Sequence, residues 1–455
     1  MFPKSLRHLV LLLMLTALAA CVSPRSTDRG SSKQSNSEPG KDRSLALSAE
    51  ESDPVRLGWM TGFPPPQERR IGQPQSDYFS FPKLRWTVCH LRELLPTKQV
   101  SRGLGSPLPL ERAIDSAIDD VEFTPLGSDT KMTWKQSLAT NYTDGILILH
   151  RNRIVYERYF GSLAEDGKHA AMSMTKSMTG LLAEILVVEG VLDESAIVSS
   201  VIPELAQSGF GSATVRQVMD MTTDLIYSED YADPNAGIWK YSAAASPLPK
   251  PADYMGPDGY FEYLQTVRAA GEHGRAFAYK TINTDVLGWI VSRTTGKAVT
   301  DLLSDRIWSR MGAEQDAYFT VDGRGTPFAG GGMSAGLRDL GRIGLLMLGE
   351  GEIAGRRLFP AEVVANIRRG GDRDHFAKAG YASLRGGSYR SMWWVLHNEN
   401  GAFAARGVHG QTIYVDPKAE MVLVRFASFP VASNSKIDPT SLPAYQAVAD
   451  YLLAK

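Results

Sequence analysis

Ser173-Met174-Thr175-Lys176-Ser177-Met178-Thr179-Gly180-Leu181-Leu182-Ala183-Glu184-Ile185-Leu186 is the stretch whose reading decides this chain. Met178, Leu181, Leu182, Ile185 and Leu186 recur at helical spacing and Gly190 closes the run, so residues 173–190 predict a helix with an apolar face. Ser173 and Lys176 form an S-x-x-K tetrapeptide. At a helix start, positions i and i+3 share a face, which brings the lysine amine within reach of the serine hydroxyl. A serine hydroxyl is a poor nucleophile until a base takes its proton. A lysine serves as that base when burial or a neighbouring cation lowers its pKa. The first helical turn also offers unpaired N–H groups and the positive dipole end to a developing oxyanion. The same serine fits equally well as an ordinary helix cap. Spacing alone does not choose, because Ser80/Lys83, Ser128/Lys131 and Ser433/Lys436 repeat it. Pro82 spoils a helix at the first, and no periodic run follows the other two. Only Ser173 opens a long apolar helix.

Outward from this helix the pattern changes to strands. Residues 145–150 (GILILH) and 154–159 (IVYERY) flank Arg151-Asn152-Arg153 and predict a hairpin. Residues 412–415 and 421–426 bracket Asp416-Pro417-Lys418-Ala419-Glu420 and predict a second hairpin, followed by a helix from Leu442 to Leu453. Residues 195–300 read mostly as short helices and loops. Strands at both ends with helices between them predict one α/β body carrying a helical insertion.

Two further segments bear on Ser173. Phe277-Ala278-Tyr279-Lys280-Thr281 precedes the apolar run from Val286 to Val291, and Ala405-Arg406-Gly407-Val408-His409-Gly410-Gln411 stands at the entrance to the last hairpin. This order resembles the serine β-lactamase and penicillin-binding superfamily, with its S-x-x-K, then Y-x-N or S-x-N, then K-T-G on a strand. The resemblance runs from about residue 144 to 430 and includes residues 214–223 (TVRQVMDMTT), 328–334 (FAGGGMS) and Arg338-Asp339-Leu340. Within the superfamily the chain is similar to the 6-aminohexanoate-dimer hydrolases and related esterases. That similarity is carried by Tyr231-Ala232-Asp233-Pro234, residues 283–289 (NTDVLGW), Trp393-Trp394-Val395 and Gly407-Val408-His409-Gly410-Gln411.

The resemblance implies an α/β (α+β) β-lactamase-like fold, an antiparallel sheet flanked by helices with an inserted, mainly helical domain. It implies a serine hydrolase acting through an acyl-enzyme on small linear amides or esters. Ser173 is the expected nucleophile, Lys176 its base and Tyr279 the proton relay. The backbone N–H groups of Ser173 and Val408 are the expected oxyanion donors. Thr281, Trp394, His409 and Asp233 are the expected substrate contacts. His409 also reads as a hydrogen-bonded wall residue, and Trp393-Trp394 as core, although strand alternation lets one of the two line a site. The cluster Glu229, Asp230 and Asp233 suits a substrate amine or a solvated loop.

Three departures qualify the resemblance. Thr281 stands where β-lactamases carry Asn, and Asp224 where a turn glycine is more familiar. No lysine precedes Gly407, because Ala405 and Arg406 fill the K-T positions. A lysine there meets the carboxylate of penicillin-like substrates, so linear amides or esters are expected ahead of β-lactams. A cell-wall D-Ala-type peptidase or β-lactamase, or a penicillin-binding-like sensor without turnover, are the alternatives. The intact Ser/Lys/Tyr set argues against a pure binder.

The N-terminus carries its own message. Lys4 and Arg7 precede the apolar run from Leu9 to Leu15, and Leu18-Ala19-Ala20-Cys21 resembles a bacterial lipobox. The expected division is a signal peptide at 1–20 and a lipidated, Ser-rich disordered tether at 21–54. A first part of the α/β body follows at 55–172, a mainly helical region at 173–300 and the rest of the body at 301–455. A flexible tether of this length reaches about 30 Å. The expected setting is the bacterial cell envelope, with the catalytic domain periplasmic or extracellular and membrane contact only through the lipid on Cys21.

Composition bounds the rest. Among 455 residues, 43% are hydrophobic and 22% charged, which excludes wholesale disorder. Lys+Arg 49 against Asp+Glu 50 gives no electrostatic reason to expect nucleic acid. Two cysteines cannot staple a chain this long, and Cys89 is the only thiol beyond the leader. The eight histidines show no H-E-x-x-H, so neither a metal nor a cofactor is expected. Gly330-Gly331-Gly332 lacks the Lys-Ser/Thr of a P-loop and reads as a tight turn. The expected partner is a small-molecule amide or ester; the sequence leaves the oligomeric state open.

Overall fold

The computed structural model describes residues 47–72, 77–230, 233 and 235–455. The leader, Cys21 and most of the expected tether lie outside these residues, as do Tyr231, Ala232 and Pro234.

One eight-stranded sheet forms the frame. Its strands are β1 (Glu111–Arg112), β2 (Thr143–His150), β3 (Arg153–Tyr159), β4 (Ser388–Arg390), β5 (Trp393–Val395), β6 (Phe403–Gly407), β7 (Gln411–Asp416) and β8 (Met421–Ala427). Their spatial order is β4-β5-β6-β7-β8-β2-β3-β1. Only β1 and β3 run parallel; the other neighbours are antiparallel. The β2–β3 hairpin turns through Arg151 and Asn152 at φ 48° and 64°, the two-residue geometry that matches strand twist. Met421 pairs with His150 and Val424 with Leu147, so the end of the chain closes against its first long strand.

Alternation along the strands builds two cores. Leu147, Leu149, Ile413, Val415, Val422 and Val424 lie in the larger one, against the helix Leu337–Leu348. Ile146, Ile148, Tyr414 and Leu423 point the other way, onto the C-terminal helix Asp438–Leu453 and the short helix Trp134–Thr140. A fully buried side chain of this kind contributes about 1.5–3 kcal/mol. The helix opened by Ser173 spans Met174–Val188 and packs against both Ile282–Thr295 and β6, so its N-terminus faces the end of that strand. A second, four-stranded sheet of Thr97–Val100, Ala317–Thr320, Met333–Ala335 and His169–Ala170 carries the chain up to Ser173.

Two boundaries differ from expectation. The tether expected through residue 54 gives way to packed structure by residue 47. The Arg85 guanidinium donates to the Ala49 carbonyl and to Ser52 Oγ at 3.0 Å, and it also holds Asp144 Oδ1 at 3.1 Å. The last helix starts at Asp438 rather than Leu442, because Asp438 is fixed by an ion pair with Arg406 and by the Ser383 hydroxyl at 2.6 Å. Burial pushes the Cys89 thiol up, so it stays protonated. Among the described residues no helix is long and apolar enough to cross a membrane.

Candidate active site

The chain turns sharply into the nucleophile helix. Met172 sits at φ 48°, a region that costs a non-glycine residue about 1–3 kcal/mol and is kept where surrounding contacts impose it. Here its carbonyl accepts from the Thr175 N–H at 3.0 Å and the Thr175 hydroxyl at 2.6 Å. Ser173 occupies the cap position, yet its side chain makes no capping bond. Instead Lys176 Nζ donates to Ser173 Oγ at 3.0 Å, and also to the Gly330 carbonyl. Ser173 is 4% exposed and Lys176 1%. The hydroxyl is therefore turned to the lysine and away from the helix N–H groups.

Tyr279 joins this pair from the segment just before the helix Ile282–Thr295. Lys176 Nζ stands 5.2 Å from its ring centroid. Trp394 stacks on that ring at 5.6 Å, and Tyr389 meets it edge-on at 6.2 Å. Strand alternation separates the two tryptophans of β5. Trp393 is fully buried and donates from its indole N–H to the Ser177 carbonyl at 3.1 Å. Trp394 faces the tyrosine.

The third segment arrives on β6. A Cβ placed on Gly407 would lie 2.8 Å from the Ala171 carbonyl and 2.9 Å from Ser173 N, so only glycine lets the strand approach the nucleophile this closely. Val408 follows at the strand end and packs in one apolar cluster with Met172 and Ala170. Arg406 points to the face opposite Gly407. It pairs with Asp438 and lays its guanidinium carbon 5.4 Å from the Trp394 ring centroid, which leaves the place of the missing lysine to Ala405.

Three expected substrate contacts stand differently. Thr281 is buried, with both its N–H and its hydroxyl donated to Glu229, the hydroxyl at 3.2 Å. Its side chain builds the wall rather than facing a substrate. His409 is 1% exposed and donates from Nδ1 to the Phe429 carbonyl at 2.7 Å, so it holds the loop that covers it. Asp233 is exposed on its loop and accepts from the Asn235 N–H at 2.9 Å. The acidic cluster is thus split, with Glu229 turned inward and Asp230 and Asp233 at the surface.

Two buried carboxylates stand near Lys176. Burial pushes the Glu229 carboxyl up, against the pull of Lys176 and of the Thr281 donors. Burial likewise pushes Asp285 up to about 7, while the Tyr241 hydroxyl, Lys176 and the Gly330 N–H draw it down. The Gly330 N–H reaches Asp285 Oδ1 at 3.2 Å, and the Tyr241 hydroxyl donates to Oδ2. The sequence motifs alone give Asp285 and the glycine run no place at the site. A carboxylate four residues beyond Thr281, on the face of a helix that must meet the nucleophile helix, was the available sign.

Next to this cluster lies a half-open cavity of about 180 Å³, lined by Met172, Gly331, Tyr241, Tyr260, Phe328 and Phe79 among others. Among the described residues no group of three or more His, Cys, Asp or Glu side chains could hold a metal ion.

Residues 138–440 match the family model for β-lactamase. The 6-aminohexanoate-dimer hydrolase of Paenarthrobacter ureafaciens is 35% identical over 369 residues, covering 79% of this chain and 89% of that protein. A Bacillus anthracis protein, solved under the provisional name 6-aminohexanoate-dimer hydrolase, is 30% identical. It superposes with a TM-score of 0.74 over 82% of this chain and 96% of its own. A family VIII carboxylesterase, 17% identical with a TM-score of 0.51 over 69% of this chain and 96% of its own, shares the fold alone.

Proposed function

The chain belongs to the β-lactamase family and is a serine hydrolase similar to 6-aminohexanoate-dimer hydrolase, and from that premise we propose that it cleaves small linear amides or esters through an acyl-enzyme on Ser173. The observation that carries the reading is the buried 3.0 Å contact between Lys176 Nζ and Ser173 Oγ, with the Tyr279 ring beside the amine. With the lysine neutral, the same contact runs from the hydroxyl to the amine. Ser173 Oγ attacks the substrate carbonyl as its proton passes to Lys176. Tyr279 relays that proton to the leaving amine or alcohol, and the acyl group stays on the serine. Water activated by the same pair then releases the acid. The N–H groups of Ser173 and Val408 hold the oxyanion, where losing one such donor raises the barrier by about 3–4 kcal/mol.

Linear substrates are favoured over β-lactams because Ala405 replaces the carboxylate-binding lysine and Arg406 is committed to Asp438. Trp394 and Val408 supply an apolar wall in its place. The test is kcat/KM for nitrocefin, p-nitrophenyl esters and a linear aminohexanoate dimer in one buffer. A linear amide or ester should lead by a wide margin; nitrocefin turnover equal to the best linear substrate would overturn the reading.

The protein is further proposed to be an envelope lipoprotein, acylated on Cys21 after cleavage of residues 1–20, with its catalytic domain periplasmic or extracellular. The basic start, the apolar run from Leu9 and Leu18-Ala19-Ala20-Cys21 support this. Cys21→Ser should move the protein from the detergent phase to the aqueous phase; equal partitioning of both forms contradicts it.

A further inference from the structure

The cavity beside Met172 carries an inference that rests on the acyl-enzyme reading and goes beyond it. We propose that it is the acyl pocket, and that it takes an uncharged apolar chain of about six carbons and excludes chains ending in an ammonium group. Its position fits an acyl pocket. Met172 immediately precedes Ser173 in the chain, and Gly331 immediately follows the carbonyl that accepts from Lys176, so two residues of its lining are chain neighbours of groups at the Ser–Lys pair.

Its walls are ring faces. Tyr260 stacks on Phe328 at 5.3 Å and 15°, and Tyr241 leans on Tyr260 at 5.3 Å. Phe79 and Leu91 also line it. They come from a segment ahead of residues 138–440, the part that matches the family model, so this wall is supplied by the chain's own N-terminal region. The volume of about 180 Å³ compares with the roughly 150 Å³ of an apolar cavity that accepts benzene, which sets the length near six carbons.

Among the described residues no charged side chain lines the cavity. The carboxylates of Asp285, Asp322 and Glu229 do not line the cavity and are turned to other partners. Asp285 is held by the Tyr241 hydroxyl and the Gly330 N–H. Asp322 accepts from the N–H groups of Tyr260, Arg324 and Thr326 at 2.9, 3.0 and 2.8 Å. Glu229 is taken by Thr281. Hydroxyls such as that of Ser242 can hydrogen-bond to an ammonium group but cannot neutralise it. A charged chain end would therefore shed its water without gaining a counter-ion in contact with it.

The test uses the full chain at pH 7 with p-nitrophenyl acetate, butanoate, hexanoate, decanoate and 6-aminohexanoate. The expected kcat/KM rises about fourfold per added methylene to hexanoate and falls at decanoate. The 6-aminohexanoate ester should lie at least tenfold below hexanoate. Ala245→Phe, which fills the cavity, should bring the hexanoate-to-acetate ratio toward one; if that variant does not fold, the wild-type series decides. A series flat with chain length, or 6-aminohexanoate equal to hexanoate, overturns the pocket while the acyl-enzyme reading stands. No turnover of any ester, together with no fluorophosphonate label on Ser173, removes both.

Discussion

Lys176 and Asp285 are joined through one residue: the Gly330 carbonyl accepts from Lys176 Nζ, and the Gly330 N–H donates to Asp285 Oδ1 at 3.2 Å. The proposed base is thus tied from behind to a buried carboxylate. The bridge requires glycine. A Cβ on residue 330 would lie 2.6 Å from Thr281 Cγ2 and 2.9 Å from Asp285 Oδ2.

Gly330→Ala should therefore cost about 1–3 kcal/mol of stability, as overpacking does, and lower kcat more than it changes KM. Denaturant unfolding and ester kinetics on the same preparation check both. An alanine variant with unchanged midpoint and unchanged kcat would mean that the bridge tolerates what the geometry forbids.

Asp285 also gives a pH signature. Its carboxyl is pushed up to about 7 by burial, from about 4 when unfolded. The native state holds this proton more tightly than the unfolded chain. The resulting stability is full below about pH 4 and is lost as pH rises through about 7. Asp285→Asn has no such proton to lose. Its stability relative to wild type should rise between pH 4 and 7 and level off above, measured by chemical denaturation across that range. A difference that stays constant from pH 4 to 8 contradicts the assignment.

Much of this was legible in the sequence. The β2–β3 hairpin follows from two β-rich runs around Arg151 and Asn152, and the nucleophile helix from apolar spacing behind Ser173. The choice between cap and nucleophile was not legible, because both uses place a serine at the same position and differ only in where its hydroxyl points. Trp393 and Trp394 show the same limit: alternation says that they face opposite ways, and only the register of β5 against β6 says which faces Tyr279. Thr281, His409 and Asp233 were assigned to the substrate by their place in motifs. Their actual partners, Glu229, Phe429 and Asn235, are set by burial and local turns that a motif does not encode. The cavity was invisible, since its walls come from residues 78–95, Met172, 238–247, Tyr260 and 320–331 brought together by folding.

Lys176→Ala and Tyr279→Phe should each reduce kcat by several orders of magnitude with smaller changes in KM. Both residues act on one proton path, and groups that work as a unit lose most of the effect on first removal. The double variant should be little worse than the poorer single one. Additive losses in steady-state kinetics would show that the amine and the phenol serve separate steps.

The most direct measurement is intact-mass analysis after fluorophosphonate labelling of wild type and Ser173→Ala, both shown folded by circular dichroism. The account predicts one adduct on wild type, mapped by peptide analysis to Ser173, and none on Ser173→Ala, which also loses all ester and amide turnover. Labelling that persists in Ser173→Ala, or maps to another serine such as Ser433, contradicts it.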